Sequence, residues 1–80
     1  MIMGLYAIKD EYTGFTPPIV CTNDGDATRY FEFKLNNTEL MKDNVKDFSI
    51  WKCGAFDTDK GNITPCEPTL VIRGSDYERK

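Results

Sequence analysis

The chain has 80 residues, 40% of them apolar and 29% charged, with 10 lysines and arginines against 13 acids and a net charge of −3. That length holds one domain with a thin core, since a chain this short buries only about 60–65% of the surface its unfolded form exposes. The acidic balance excludes a bulk-basic nucleic-acid binder, and no apolar run approaches the roughly 18 residues of a membrane span.

Residues 1–10, MIMGLYAIKD, alternate as a strand, with Leu5 and Ala7 on one face and Tyr6 and Ile8 on the other. Apolar groups on both faces predict a strand well inside the fold. The same stretch lacks a basic segment leading into an apolar block, so no secretion signal is expected and a cytoplasmic location is. DEYTG turns the chain. FTPPIVC must be extended, because Pro17 and Pro18 set their own φ and push the preceding residue toward the β region. Neither proline can donate to a ladder, so this segment is an edge strand at best.

NDGDATRYFEFKLNN predicts a single helix over residues 24–36. Asn23 suits the N-cap, Asp24 and Asp26 sit where the helix dipole favours acids, and Lys34 lies near the far end. Ala27, Phe31 and Leu35 recur at i, i+4 and i+8 as the buried stripe. Asn36 and Asn37 end it, on the expectation that an asparagine takes the left-handed cap conformation. Tyr30 and Phe33 flank the stripe, either widening the core contact or forming a half-exposed aromatic strip. TELMKDNVKD has room for a further helical turn. FSIWKCGAFD is the strongest strand: Phe48, Ile50 and Phe56 share one parity, Trp51, Cys53 and Ala55 the other, and Gly54 marks a bulge or close approach. NIT and TLVIR, separated by Pro65 and Pro68, complete the sheet. The expected fold is therefore α+β, a small antiparallel sheet of four or five strands on one helix. It spans residues 1–74 as a single domain, followed by a polar tail over 75–80.

Residues 54–68, GAFDTDKGNITPCEP, have the look of a ligand loop. Counted from Asp57, however, an EF-hand would need glycine sixth and glutamate twelfth, whereas Gly61 comes fifth and Pro68 twelfth. A phosphate loop would open a helix, and this stretch opens a strand. Turn chemistry remains: Asp57 bonds its own downstream backbone, and Gly61 supplies a positive φ. DEYTG and DTDKG share the pattern Asp-x-x-x-Gly, which predicts two hairpins. With Asp57 facing Asn62, the second hairpin would set Cys53 directly opposite Cys66. The three cysteines, with no C-x-x-C spacing, are expected to be reduced. There is no histidine. With neither the commonest general base nor paired carboxylates in a recognisable frame, no enzyme, metal site or cofactor is expected.

Gly54-x-Phe56-Asp57, Gly61 and Pro65-x-Glu67-Pro68 together resemble the signature region of the small non-structural protein of gokushoviruses, single-stranded DNA phages of the Microviridae. LYAIKDEYTGFTPP, NDGDATRYF and VKDFSIWKCGAFD extend the resemblance from about Leu5 to Gly74. Gly25 and the three cysteines depart from the pattern. The resemblance implies a role inside the infected bacterium's cytoplasm, in genome replication or single-stranded DNA synthesis, with DNA binding as its means.

The residues allow a binding site of that kind. Residues 1–28 carry −3 and residues 53–80 carry −1, while residues 29–52 hold five bases against four acids. That middle third interleaves bases with aromatics: Arg29 and Lys34 beside Tyr30 and Phe33, and Lys52 beside Trp51. Such a track suits weak binding of single strands without sequence preference. A homo-oligomer is expected, because one helix covers only one face of a sheet that is apolar on both. The competing expectation is an adaptor that binds a host or viral replication protein and never touches DNA.

Overall fold

The computed structural model of the chain describes residues 1–77. Its elements are β1 (Ile2–Asp10), β2 (Gly14–Phe15), β3 (Ile19–Cys21), α1 (Asp24–Asn37), the short α2 (Glu39–Asp43), β4 (Phe48–Asp57) and β5 (Ile63–Arg73). Two 3-10 turns, Val45–Asp47 and Gly74–Tyr77, precede β4 and follow β5. The strands form one five-stranded antiparallel sheet in the order β2-β1-β4-β5, with β3 pairing β1 on the same side as β2. This is the α+β fold expected from the pattern, with β1 central as its two apolar faces require.

Both hairpins use the repeated Asp-x-x-x-Gly device. Asp10 faces Gly14 and Lys9 faces Phe15 in the first. In the second, the Asp57 N–H donates to Asn62 O at 2.9 Å. The Asp57 carboxylate accepts from the backbone N–H of Asp59 and Lys60, at 2.9 and 3.3 Å. Gly14 and Gly61 have φ of 93° and 75°, which a side chain would strain. The stretch from Gly54 to Pro68 is thus a hairpin, the end of β4 and the start of β5 joined by a turn over residues 58–62.

α1 starts where its cap chemistry dictates: the Asn23 Oδ1 accepts from the Asp26 N–H at 2.8 Å. Ala27, Phe31 and Leu35 are buried beneath it among Tyr6, Ile8 and Ile50. Its end differs from expectation. No non-glycine residue among those described has a positive φ, so neither asparagine takes the left-handed cap. Asn37 instead stays helical and donates its side-chain amide to Phe33 O, while extended Thr38 (φ −115°) donates its N–H to Lys34 O and leads into α2. Satisfying those carbonyls locally removes the need for the special conformation.

The parity of β4 is switched midway. Lys52 faces Tyr6, but Gly54 faces Leu5, so Cys53 is an extra residue and the register shifts at Gly54 as the glycine suggested. Phe48 and Ile50 point to the helix. Phe56, expected beside them, faces Met3 and lies on the opposite side of the sheet. A second irregularity on β5 answers the first. Gly54 faces Pro65 while Lys52 faces Thr69, so Cys66, Glu67 and Pro68 bulge against the single Cys53. The direct pairing of Cys53 with Cys66 is thereby overturned: the register that would set them opposite breaks at that position. They remain near neighbours, since burial foremost and then Cys66 push the Cys53 thiol above its ordinary value, and all three cysteines are free thiols. NIT and TLVIR prove to be one continuous edge strand, where prolines need donate nothing.

Residues 75–77, expected in the polar tail, belong to the turn Gly74–Tyr77, which brings the Tyr77 ring to 6.2 Å from Phe31, against the core. The remainder of the expected tail, residues 78–80, lies outside the described residues.

Tyr6 ties β1 to the start of α1. Its ring is 1% exposed, and its hydroxyl donates to Asp24 Oδ1 at 2.6 Å. Burial first, then this carboxylate, raise the phenol well above its ordinary value. The unfolded chain releases that proton near pH 10 while the folded chain keeps it. Stability should therefore be intact below about pH 10 and fall above it, by up to about 1.4 kcal/mol per pH unit for this group. Alkaline unfolding followed by circular dichroism should show the fall, shallower in Tyr6→Phe. An equally steep fall in that variant would assign the effect to other groups, Tyr77 among them, whose phenol burial also raises.

Candidate nucleic-acid interface

The helix covers one face of the sheet, and the other is open. Directly opposite residues in a ladder share a face, so the register draws the open face row by row. Phe15, Lys9, Ser49 and Arg73 form one row, and Ala7, Trp51 and Leu70 the next. Val20, Leu5, Gly54 and Pro65 follow, then Met3, Phe56 and Ile63. The paired positions on this face carry two bases and no acid, and Glu67 stands in the unpaired bulge of β5.

The first two rows are organised. The rings of Phe15 and Trp51 meet edge to face, 6.1 Å apart at 83°. The Lys9 ammonium stands 5.7 Å from the Phe15 ring and 5.6 Å from the Trp51 ring, within cation–π reach of both. The Trp51 indole N–H donates to Ser49 Oγ at 2.8 Å, which satisfies the buried serine and orients the indole. Phe15 is 49% exposed and Trp51 half-buried. No carboxylate lies within ion-pair distance of Lys9 or Arg73 among the described residues. The Asp76 carboxylate accepts from the backbone N–H of Arg73 at 3.2 Å. The result is a shallow aromatic surface with a cation held between its rings and a second cation two strands further along the same row.

The six residues singled out in the sequence do not form one patch. Arg29, Tyr30 and Phe33 line a groove of about 550 Å³ between α1 and β3. Tyr30 and Lys34 line a neighbouring hollow with Thr16 and Pro17, so these four share one flank of the helix. Of the two aromatics, Tyr30 packs against the core and Phe33 stands 62% exposed, so each alternative reading describes one of them. Trp51 lies on the open face. Lys52, facing Tyr6, shares the helix side of the sheet and does not join it. Lys9, Phe15 and Arg73 were missed. A signal for two of them was present, because the hairpin expected at residues 10–14 sets Lys9 opposite Phe15. Nothing local announces Arg73, whose place depends on two irregularities in β5.

A family model described as Phage ORF5 protein matches residues 3–77, nearly the whole chain. The chain belongs to the Phage ORF5 protein family. No curated protein and no solved structure matches it. No helix among the described residues is long and apolar enough to cross a membrane.

Proposed function

We propose that this Phage ORF5 protein is the small non-structural protein of a gokushovirus and acts in genome replication in the cytoplasm of the host bacterium. In this reading it binds single-stranded DNA weakly and without sequence preference, as a homo-oligomer. One observation carries the reading: the helix-free face of the sheet presents Phe15 and Trp51 with Lys9 between them and Arg73 in the same row, and no acid at its paired positions. Bases stack on aromatic rings for about 1–3 kcal/mol each whatever their identity, and cations beside the rings follow the phosphates. The acids of α1, Asp24, Asp26 and Glu32, belong to the helix side of the sheet, so a net charge of −3 does not oppose a strand lying on the other side. The Trp51 indole supplies the readout.

Titration with a poly-dT oligonucleotide at low salt should quench the tryptophan fluorescence. The affinity should fall steeply with salt, by about 0.7 log units per neutralised phosphate for each tenfold rise. Lys9→Gln and Arg73→Gln should each flatten that slope. Phe15→Ala, at an exposed edge position, should weaken binding by about 1–3 kcal/mol with little change in slope. Lys34→Ala, on the flank of α1, serves as the contrast, for it should leave the slope unchanged if the open face is the site. Should Lys34→Ala alone alter the slope, the strand runs over α1 instead. No retention of poly-dT by folded protein would end the DNA reading and put in its place an adaptor that binds a host or viral replication protein.

A further inference from the structure

The sheet has two edges, and they are guarded differently. β5 carries Pro65 and the three-residue bulge between Pro65 and Thr69, which includes Pro68, and these spoil an edge for pairing. β3 itself holds neither a proline nor a bulge, and Pro17 and Pro18 end just before it. Its three residues, Ile19, Val20 and Cys21, are uncharged and two are β-branched, and their outer side has no strand beside it. Along this open edge runs the groove between β3 and α1. Phe33 is its exposed apolar residue on the helix wall, and Val20, 45% exposed, stands at the same edge with its side chain on the other face of the sheet.

The groove carries one acid and one base on consecutive turns of the same helix wall, Asp26 and Arg29. Asp26 uses one carboxylate oxygen to accept from the Thr22 N–H at 3.3 Å. Arg29 has no carboxylate within ion-pair distance among the described residues. A patch holding one charge of each sign beside an open strand edge is complementary to itself under a two-fold axis.

We propose that two copies of the chain associate through this edge, β3 against β3 antiparallel about Val20, with Asp26 of each helix facing Arg29 of the other. A two-fold axis that pairs edge strands antiparallel within one sheet stands perpendicular to that sheet. Both helices then fall on one side, where Phe33 and Tyr30 of each copy fill the two grooves. Both open faces fall on the other side. The two Lys9–Phe15–Trp51 surfaces become parts of one continuous platform, and linking two weak sites raises avidity by about 10²–10⁴ without a new contact. The pairing stands on the edge and the groove alone, whereas the doubled platform rests on the nucleic-acid reading above.

Light scattering on the free protein tests the pairing without DNA. At high micromolar concentration the mass should be twice the 9.2 kDa of one chain. Arg29→Glu gives the groove two acids, and Asp26→Lys gives it two bases. Each variant alone should return to single-chain mass, and an equimolar mixture of the two should restore the doubled mass as a one-to-one pair. Val20→Lys, which sets two like charges beside the axis, is an independent disruption that leaves α1 unchanged. A wild-type protein at single-chain mass overturns the proposal, and so does a doubled mass that survives all three substitutions. Reversal variants that do not recombine overturn the Asp26–Arg29 contact, provided each is folded by circular dichroism. A dimer that fails to retain poly-dT leaves the pairing standing and removes the nucleic-acid reading.

Discussion

Phe31→Ala should abolish stable folding or come close to it. The ring is fully buried beneath α1, between the strand residues Tyr6, Ile8 and Ile50 and the ring of Tyr77. Truncating a buried phenylalanine costs about 3–5 kcal/mol, the lost transfer energy plus the cavity left behind. A single core in a chain of this size rarely supplies more than about 3–5 kcal/mol in total. The loss therefore matches the whole margin. Collapse into the cavity is restricted, because the strands on one side and the docked turn on the other are held by separate parts of the backbone. Urea denaturation should show a broad transition starting at zero denaturant, or none. Glu32→Ala, one position along the helix and exposed, should stay within about 0.5 kcal/mol of the parent. Equal effects at the two positions would mean that α1 does not present the stripe of Ala27, Phe31 and Leu35 to the sheet.

Gly74→Ala should be nearly as damaging, although it adds a single methyl group. A Cβ at this position would stand 2.0 Å from the Val45 carbonyl oxygen and 2.9 Å from that of Phe48. Both obstacles are backbone, so no side chain can swing away to make room. The turns Val45–Asp47 and Gly74–Tyr77 would have to separate, carrying Tyr77 away from Phe31. Overpacking of this kind costs about 1–3 kcal/mol and occasionally more, and the upper end is expected here because the clash is with a carbonyl. The expected result is a loss of about 3 kcal/mol in urea, together with loss of the ring-current shifts that Phe31 and Tyr77 impose on each other. A variant as stable as the parent would show that the two turns are not in close backbone contact.

The two substitutions differ in how far they could be foreseen. The stripe of Ala27, Phe31 and Leu35 is local. A helix repeats every 3.6 residues, so the sequence alone names its buried face, and Asn23 with its following acids names its start. The two turns were equally legible, because Asp-x-x-x-Gly carries its own hydrogen bonds and its own positive φ. Phe56 shows where such reasoning stops. Its parity follows from counting, and one extra residue at Cys53 reverses the count. Whether a strand absorbs an extra residue depends on its partners, here β1 on one side and the bulge of Cys66, Glu67 and Pro68 on the other.

The candidate site divides in the same way. Composition and spacing brought out Arg29, Tyr30, Phe33 and Lys34 because they are neighbours on one helix, and they do share a flank. Trp51 was legible as an aromatic of interest, but not its company. Lys9, Phe15 and Arg73 reach it from three other strands, across a register that two irregularities adjust. The lack of acids at the paired positions of the open face is likewise a property of the assembled sheet: the chain is acidic overall, and alternation along paired strands is what separates Lys9 and Arg73 from the carboxylates. Sequence by itself thus determined the helix, its buried stripe, both hairpin turns and the α+β class, each of which rests on interactions within a few residues. The tertiary structure decided which face stays open, what charge it carries and which edge is left open, because those properties arise only when distant strands are brought into register.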